Sequence, residues 1–232
     1  MTDREIDQAL GARHVAPPPA DRVKQIESAI VGNLKPVRPL PPDRFYFTAF
    51  AGIFIAVCVV GCDIVGQNGW HALTSFQKIC IFAPLAVSIA FAIVSIVRQM
   101  TPAATHVRST AWIAVSSFLL LLLTMVVLFR PMQERAFLHN GLACFRTGMA
   151  YAIPASFIFA LLLLRGAGLS PLLTGATAGG LAGLVGLGIL EIHCPNLNVY
   201  HIVVWHVSVT LVCALGGLIF SSVTFRRWTS NQ

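Results

Sequence analysis

The chain has 232 residues, only 11% of them charged, a mean hydropathy of +0.76 and a formal charge of +7. Such a composition excludes a soluble domain built around one core, and the positive charge reads as membrane topology and attraction to anionic lipid rather than direct nucleic-acid binding. Thirteen of the charged residues lie in the first 44; from Phe45 onward the sequence is a series of apolar runs.

Residues 1–44 form the polar part. Thr2-Asp3-Arg4-Glu5 has capping-box spacing and opens a short helix through Ile6 and Leu10. Pro17-Pro18-Pro19 breaks it, and Asp21 can cap a second helix. In that helix Val23, Ile26, Ile30 and Leu34 recur on one face. The segment from Lys35 to Pro42, with Pro36, Pro39, Pro41 and Pro42, reads as a stiff extended linker. Forty-four residues are too few for a self-sufficient core. The tail is therefore either loosely ordered on the membrane surface or a peptide that folds onto a partner.

Six apolar runs follow, at Phe45–Cys62, Ile79–Val97, Thr110–Phe129, Thr147–Leu164, Leu169–Leu190 and Ile202–Phe225. Each is long enough to cross a hydrocarbon core of about 30 Å as a helix. Backbone groups in lipid need internal partners, and continuous runs without alternation select helices over a barrel. The expected fold is an all-α membrane protein: a six-helix transmembrane bundle over residues 45–228 behind a short helical tail. With the amino terminus inside, twelve Lys and Arg residues lie on the inner side against four on the outer, which predicts a multi-pass protein with both termini cytoplasmic. Gly175, Gly179 and Gly183 form a small-residue stripe on the fifth run, which marks it as the central packing helix.

The polar stretch between the last two runs holds Glu191, His193, Cys194, Pro195, His201 and His206. Cys194 follows the fifth crossing and Cys144 the third, so both lie on one side of the membrane, the outer side by the charge rule. Cys58, Cys62 and Cys213 read as packing residues within spans. Three readings compete for Cys144 and Cys194: a static disulfide, a redox- or metal-reactive thiol pair, and a closed metal site with His193 or His201 as further ligands. The spacing matches no specific zinc motif. At about 100° per residue of α-helix, His206 points roughly 140° away from His201. Glu191 is the carboxylate expected to pair with His206, with Asp63 and His71 near the same face.

On these residues the chain resembles the NrsF (negative regulator of sigma F) family of bacterial six-span membrane anti-sigma factors. The features that carry the resemblance are the amphipathic tail, six spans, Cys144 in the second outer loop, and His193-Cys194-Pro195 followed by His201 and Trp205-His206. It implies that the tail holds an extracytoplasmic-function sigma factor inactive at the inner membrane. It also implies that Cys144 and Cys194 are the sensing pair for heavy-metal or oxidative insult. By this reading the chain is not an enzyme. Ile6, Leu10, Val23, Ile26, Ile30 and Leu34 would contact the sigma factor, while Glu191, His193, His201 and His206 would be accessory or metal-binding groups. No resident cofactor is implied, only a transiently bound heavy-metal ion. Two other classes fit the sequence less well. A membrane thiol-disulfide oxidoreductase lacks the usual Cys-x-x-Cys pair. A small proton-coupled transporter lacks charges near the midplane.

Overall fold

The computed structural model describes residues 19–33, 41–101, 107–164 and 170–230. The chain divides into two units, Met1–Pro39 and Leu40–Gln232. In the first, helix α1 (Ala20–Asn33) starts on the Pro19 carbonyl, which accepts from the Arg22 and Val23 N–H groups, and Asp21 lies in its first turn. The expected face is partly visible: Val23, Ile26 and Ile30 are all exposed. Ile6, Leu10 and Leu34, and the expected first helix, lie outside the described residues.

The second unit is all-helical, and six of its helices are long and apolar enough to cross a membrane. The first is α2 (Asp43–Val65), which ends at Gly66, whose φ of 83° lies where an L side chain is strained. A short helix, α3 (Asn68–Ala72), precedes α4 (Ser75–Met100). Thr74 and Gln77 close a capping box at the start of α4: the Thr74 hydroxyl accepts from the Gln77 N–H, and the Gln77 side chain accepts from the Thr74 N–H. Then come α5 (Val107–Leu128), α6 (Phe137–Leu163) and α7 (Pro171–His193), which has Pro171 in its first turn. The last span begins as α8 (Val199–His201), passes through a π-helical turn (Ile202–His206), and continues as α9 (Val207–Ser230).

Helix α7 is the centre of the bundle. In its most apolar window 72% of residues are buried, against 17–39% in the other five spans. The glycine stripe is the reason. A Cβ added at Gly179 would meet the Cys213 carbonyl oxygen, one at Gly183 would lie 2.4 Å from the Thr210 Cα, and one at Gly175 would meet the Ser221 hydroxyl. Helices α7 and α9 therefore approach until backbone touches backbone, as the small-residue pattern predicts. Leu181, Val185, Leu187 and Ile189 of α7 are fully buried with Phe50 of α2, Ile96 of α4 and Met125 of α5. Gln99 at the far end of α4 donates from Nε2 to Ser95 (2.8 Å) and Thr177 (3.4 Å), a polar clasp between α4 and α7.

The expected spans all fall on helices, but α6 differs in length. It starts at Phe137, ten residues before the expected Thr147, and its 27 residues extend roughly 40 Å at about 1.5 Å each. That exceeds a hydrocarbon core of about 30 Å. The polar stretch around His139, Asn140 and Arg146 is thus the protruding first turns of a helix rather than a loop, and Cys144 sits within it.

Candidate functional site

Helix α7 brings Glu191 and Cys194 to the end of the bundle where the third and fifth crossings finish. Glu191 lies in the last turn, and Cys194 closes the helix through its N–H on the Leu190 carbonyl (2.8 Å). Against Cys194 packs α3: a Cβ at Gly69 would stand 2.5 Å from the Cys194 carbonyl oxygen, so only glycine allows this approach. Cys194 is consequently buried, at 7% exposure.

Asn198 then reverses the chain. Its side-chain oxygen accepts from the Tyr200 N–H (3.2 Å), which caps α8, and from the Met132 N–H (3.2 Å). Its amide donates to the Met132 carbonyl (2.9 Å), while the Val199 N–H donates to the Arg130 carbonyl (3.3 Å). One buried asparagine thus fastens the loop after α5 to the loop after α7. Replacing Asn198 by Ala leaves the Met132 N–H and carbonyl without these partners, at a cost of about 1–3 kcal/mol each where they remain buried. Faster amide exchange at residues 130–132 and faster labelling of Cys144 by a thiol reagent are the expected results; unchanged labelling would mean the clamp does not hold the site closed.

The clamped loop delivers Glu134, whose Oε2 lies 3.3 Å from His201 Nδ1. Burial works against the ionised carboxyl, but hydrogen bonds from Asn140, Asn196 and His201 outweigh it and hold Glu134 below its ordinary value. Helix α6 follows, and its Phe137 ring stands edge-on to His201, with centroids 6.5 Å apart. One turn later Gly141 lies under the Trp205 indole, where any Cβ would collide with the ring. One further turn places Cys144 with its sulfur 3.4 Å from that of Cys194, in hydrogen-bond contact and not bonded.

The π-helical turn completes the site. On a regular α-helix His206 would point away from His201. Widening the turn over Ile202–His206 puts residues five apart on one face, and the two imidazoles meet edge to face at 5.3 Å. His206 Nδ1 is 2.8 Å from Glu191 Oε1, the expected pairing, and both residues are buried. His201 Nε2 lies 3.7 Å from the Cys194 sulfur. The ligand atoms of Cys144, Cys194, His201 and His206 all fall within 4.8 Å of one another.

The Cys194 thiol is held above its ordinary pKa. Its hydrogen bond with Cys144 raises the thiol's pKa, burial raises it further, and His201 and His206 pull it back down. Cys194 thus keeps its proton more firmly than a free thiol, yet faces two imidazoles able to favour a thiolate.

Of the residues expected here, the structure brings together Cys144, Cys194, His201, His206 and Glu191. His193 lies one residue from Cys194 but outside the converging set, and Asp63 and His71 are exposed and do not join it. Glu134 and Asn198 went unnoticed in the sequence. Asn198 carried a usable signal, an Asx residue just ahead of a helical run; Glu134, in a mixed polar loop, carried none.

A family model described as NrsF, negative regulator of sigma F, matches residues 30–228. No curated protein and no solved structure matches the chain.

Proposed function

The chain belongs to the NrsF family, negative regulators of sigma F, and from that premise we propose that it is an inner-membrane anti-sigma factor whose cytoplasmic tail sequesters an extracytoplasmic-function sigma factor. Membership itself makes the chain a negative regulator of a sigma factor with a regulatory, non-catalytic role, and its six apolar helices make it a multi-pass membrane protein. The finer reading assigns binding to residues 1–44 and sensing to Cys144 and Cys194 at the outer face. Metal or oxidant acting on that thiol pair shifts the bundle and weakens the tail's hold.

The observation that carries the sensing half is the 3.4 Å approach of two thiols from separate spans, flanked by two imidazoles. A pair so placed can be cross-linked or chelated without unfolding either helix. The binding half is supported by the exposed apolar side chains of α1, which suit a helix-in-groove partner. The Lys and Arg bias supports cytoplasmic termini, which puts the tail where a sigma factor is found.

The test is capture of the cell's sigma factors by full-length protein in detergent. Wild type is expected to retain one sigma factor, and Ile26→Asp combined with Ile30→Asp to lower retention at least tenfold while the bundle still elutes as a single species. Equal retention by the double variant would remove α1 from the binding surface; retention of no sigma factor by wild type would overturn the reading.

A further inference from the structure

Two features of the thiol site go beyond a reactive pair. Both histidines are oriented the same way: each presents Nδ1 to a carboxylate, His201 to Glu134 and His206 to Glu191. A carboxylate accepts from the ring N–H it faces, so the lone pair of each ring is left on Nε2. The Nε2 of His201 lies 3.7 Å from the Cys194 sulfur, and His206 contributes a ligand atom within 4.8 Å of both sulfurs. The Nε2 of His206, a residue only 1% exposed, has no hydrogen-bond partner of ordinary geometry among the described residues. A buried ring nitrogen beside two thiols without a well-formed hydrogen bond is costly unless something binds it.

We propose that Cys144, Cys194, His201 and His206 form a four-ligand site for a divalent d10 cation of the zinc class, with Glu134 and Glu191 orienting the two histidines. The reading deepens the sensing role proposed for the thiol pair and rests on it for its consequence, though binding is testable without it. Carboxylate–histidine pairs of this kind fix the ring tautomer and raise the basicity of the metal-facing nitrogen. A tetrahedral site with Zn–S of about 2.3 Å and Zn–N of about 2.0–2.1 Å has edges of roughly 3.3–3.8 Å. The sulfurs at 3.4 Å and the Cys194–His201 contact at 3.7 Å already have that scale, and the remaining ligand atoms lie within 4.8 Å.

Charge selects the same ion. Binding M2+ releases one proton from each thiol, and two thiolates with two neutral imidazoles leave the centre formally neutral. That avoids burying a net charge among apolar helices. Two sulfur and two nitrogen donors suit Zn2+, and Cd2+ as its softer competitor, better than the oxygen-seeking Mg2+ or Ca2+. Four protein ligands leave no open position, so the site is structural or regulatory rather than catalytic. Its ligands come from α6, the end of α7 and the last span, so a bound ion ties three of the six crossings at one end.

Co2+ binding to reduced, metal-free full-length protein in detergent tests the site. The expected result is one Co2+ per chain with a thiolate-to-cobalt charge-transfer band and tetrahedral ligand-field absorption, displaced by Zn2+ and Cd2+, with about two protons released per ion. Cys144→Ser and His206→Gln lose the charge-transfer signature or its stoichiometry. His193→Gln keeps both. Glu134→Gln, at a part-exposed position that threatens folding least, weakens binding about 10- to 100-fold. Absence of the band in wild type, its full retention in His206→Gln, or its loss in His193→Gln overturns the assignment. The sensing reading fails separately: cobalt binding as expected, with induction unchanged when both cysteines are replaced, leaves the site standing and removes its role in release.

Discussion

Replacing Cys144 and Cys194 by Ser together is expected to abolish signal-induced release of the sigma factor while leaving its resting retention intact. Serine nearly matches the size of cysteine, so the packing of Gly69 against the Cys194 backbone survives. What is lost is the chemistry: a hydroxyl forms neither a disulfide nor a strong bond to a soft metal. Moving a two-state bundle from 1:99 to 99:1 needs about 5.5 kcal/mol of differential stabilisation. A thiolate–metal bond or a disulfide between spans supplies that order; a hydrogen bond to serine, worth about 1 kcal/mol, does not. Each single replacement is expected to be as inert as the double, because chelation and cross-linking both need the two sulfurs. Reporter transcription from the sigma factor's own promoter, measured with and without Cd2+ or oxidant, reads the outcome. Wild-type induction in the double variant would remove the cysteines from sensing.

Much of the architecture behind that prediction is legible in the sequence because lipid imposes simple rules. A run long enough to cross is a helix, so six runs gave six helices. Small residues at four-residue spacing marked α7 as the helix that others touch. Parity alone placed Cys144 and Cys194 on one side, and the scarcity of buried charge in membrane spans made Glu191 and His206 natural partners.

The rest of the site depended on geometry that sequence patterns do not carry. The π-helical turn has no composition signal in Ile202–His206, yet it reverses the angle between His201 and His206 and turns an apparent mismatch into a convergence. Hydropathy marks where a helix meets lipid, not where it begins, so the polar start of α6 read as a loop. Glu134 and Asn198 matter through contacts 67 and 66 residues along the chain, with His201 and Met132. Such long-range contacts leave no local trace, although the capping position of Asn198 does. The sequence shows no zinc-like spacing because the four converging Cys and His residues come from three spans rather than from one loop.

The glycine seam carries the second large effect. Gly179→Leu is expected to prevent α7 and α9 from closing, with a loss at or above the upper end of the ~1–3 kcal/mol typical of overpacking. The obstacle is backbone: the new Cβ meets the Cys213 carbonyl, and no rotamer change relieves it. Two neighbours act as internal comparisons. At Gly180 a Cβ would find only the Ala214 methyl at 3.8 Å, and at Gly52 nothing within 4 Å. Gly180→Ala and Gly52→Ala are therefore expected to be neutral or to gain up to about 1 kcal/mol from helix propensity. Thermal stability and elution of the detergent-solubilised protein separate these cases, and a Gly179→Leu protein as stable as Gly180→Ala would refute the close seam. The same seam reaches the thiol end, where a Cβ at Gly186 would lie 2.6 Å from the Gly148 carbonyl oxygen of α6, one turn beyond Cys144. Gly186→Ala therefore presses directly on the helix that carries Cys144. Its expected signature is altered Cys144 labelling in a protein that still folds, which would tie the packing of the bundle's centre to the state of the thiol site.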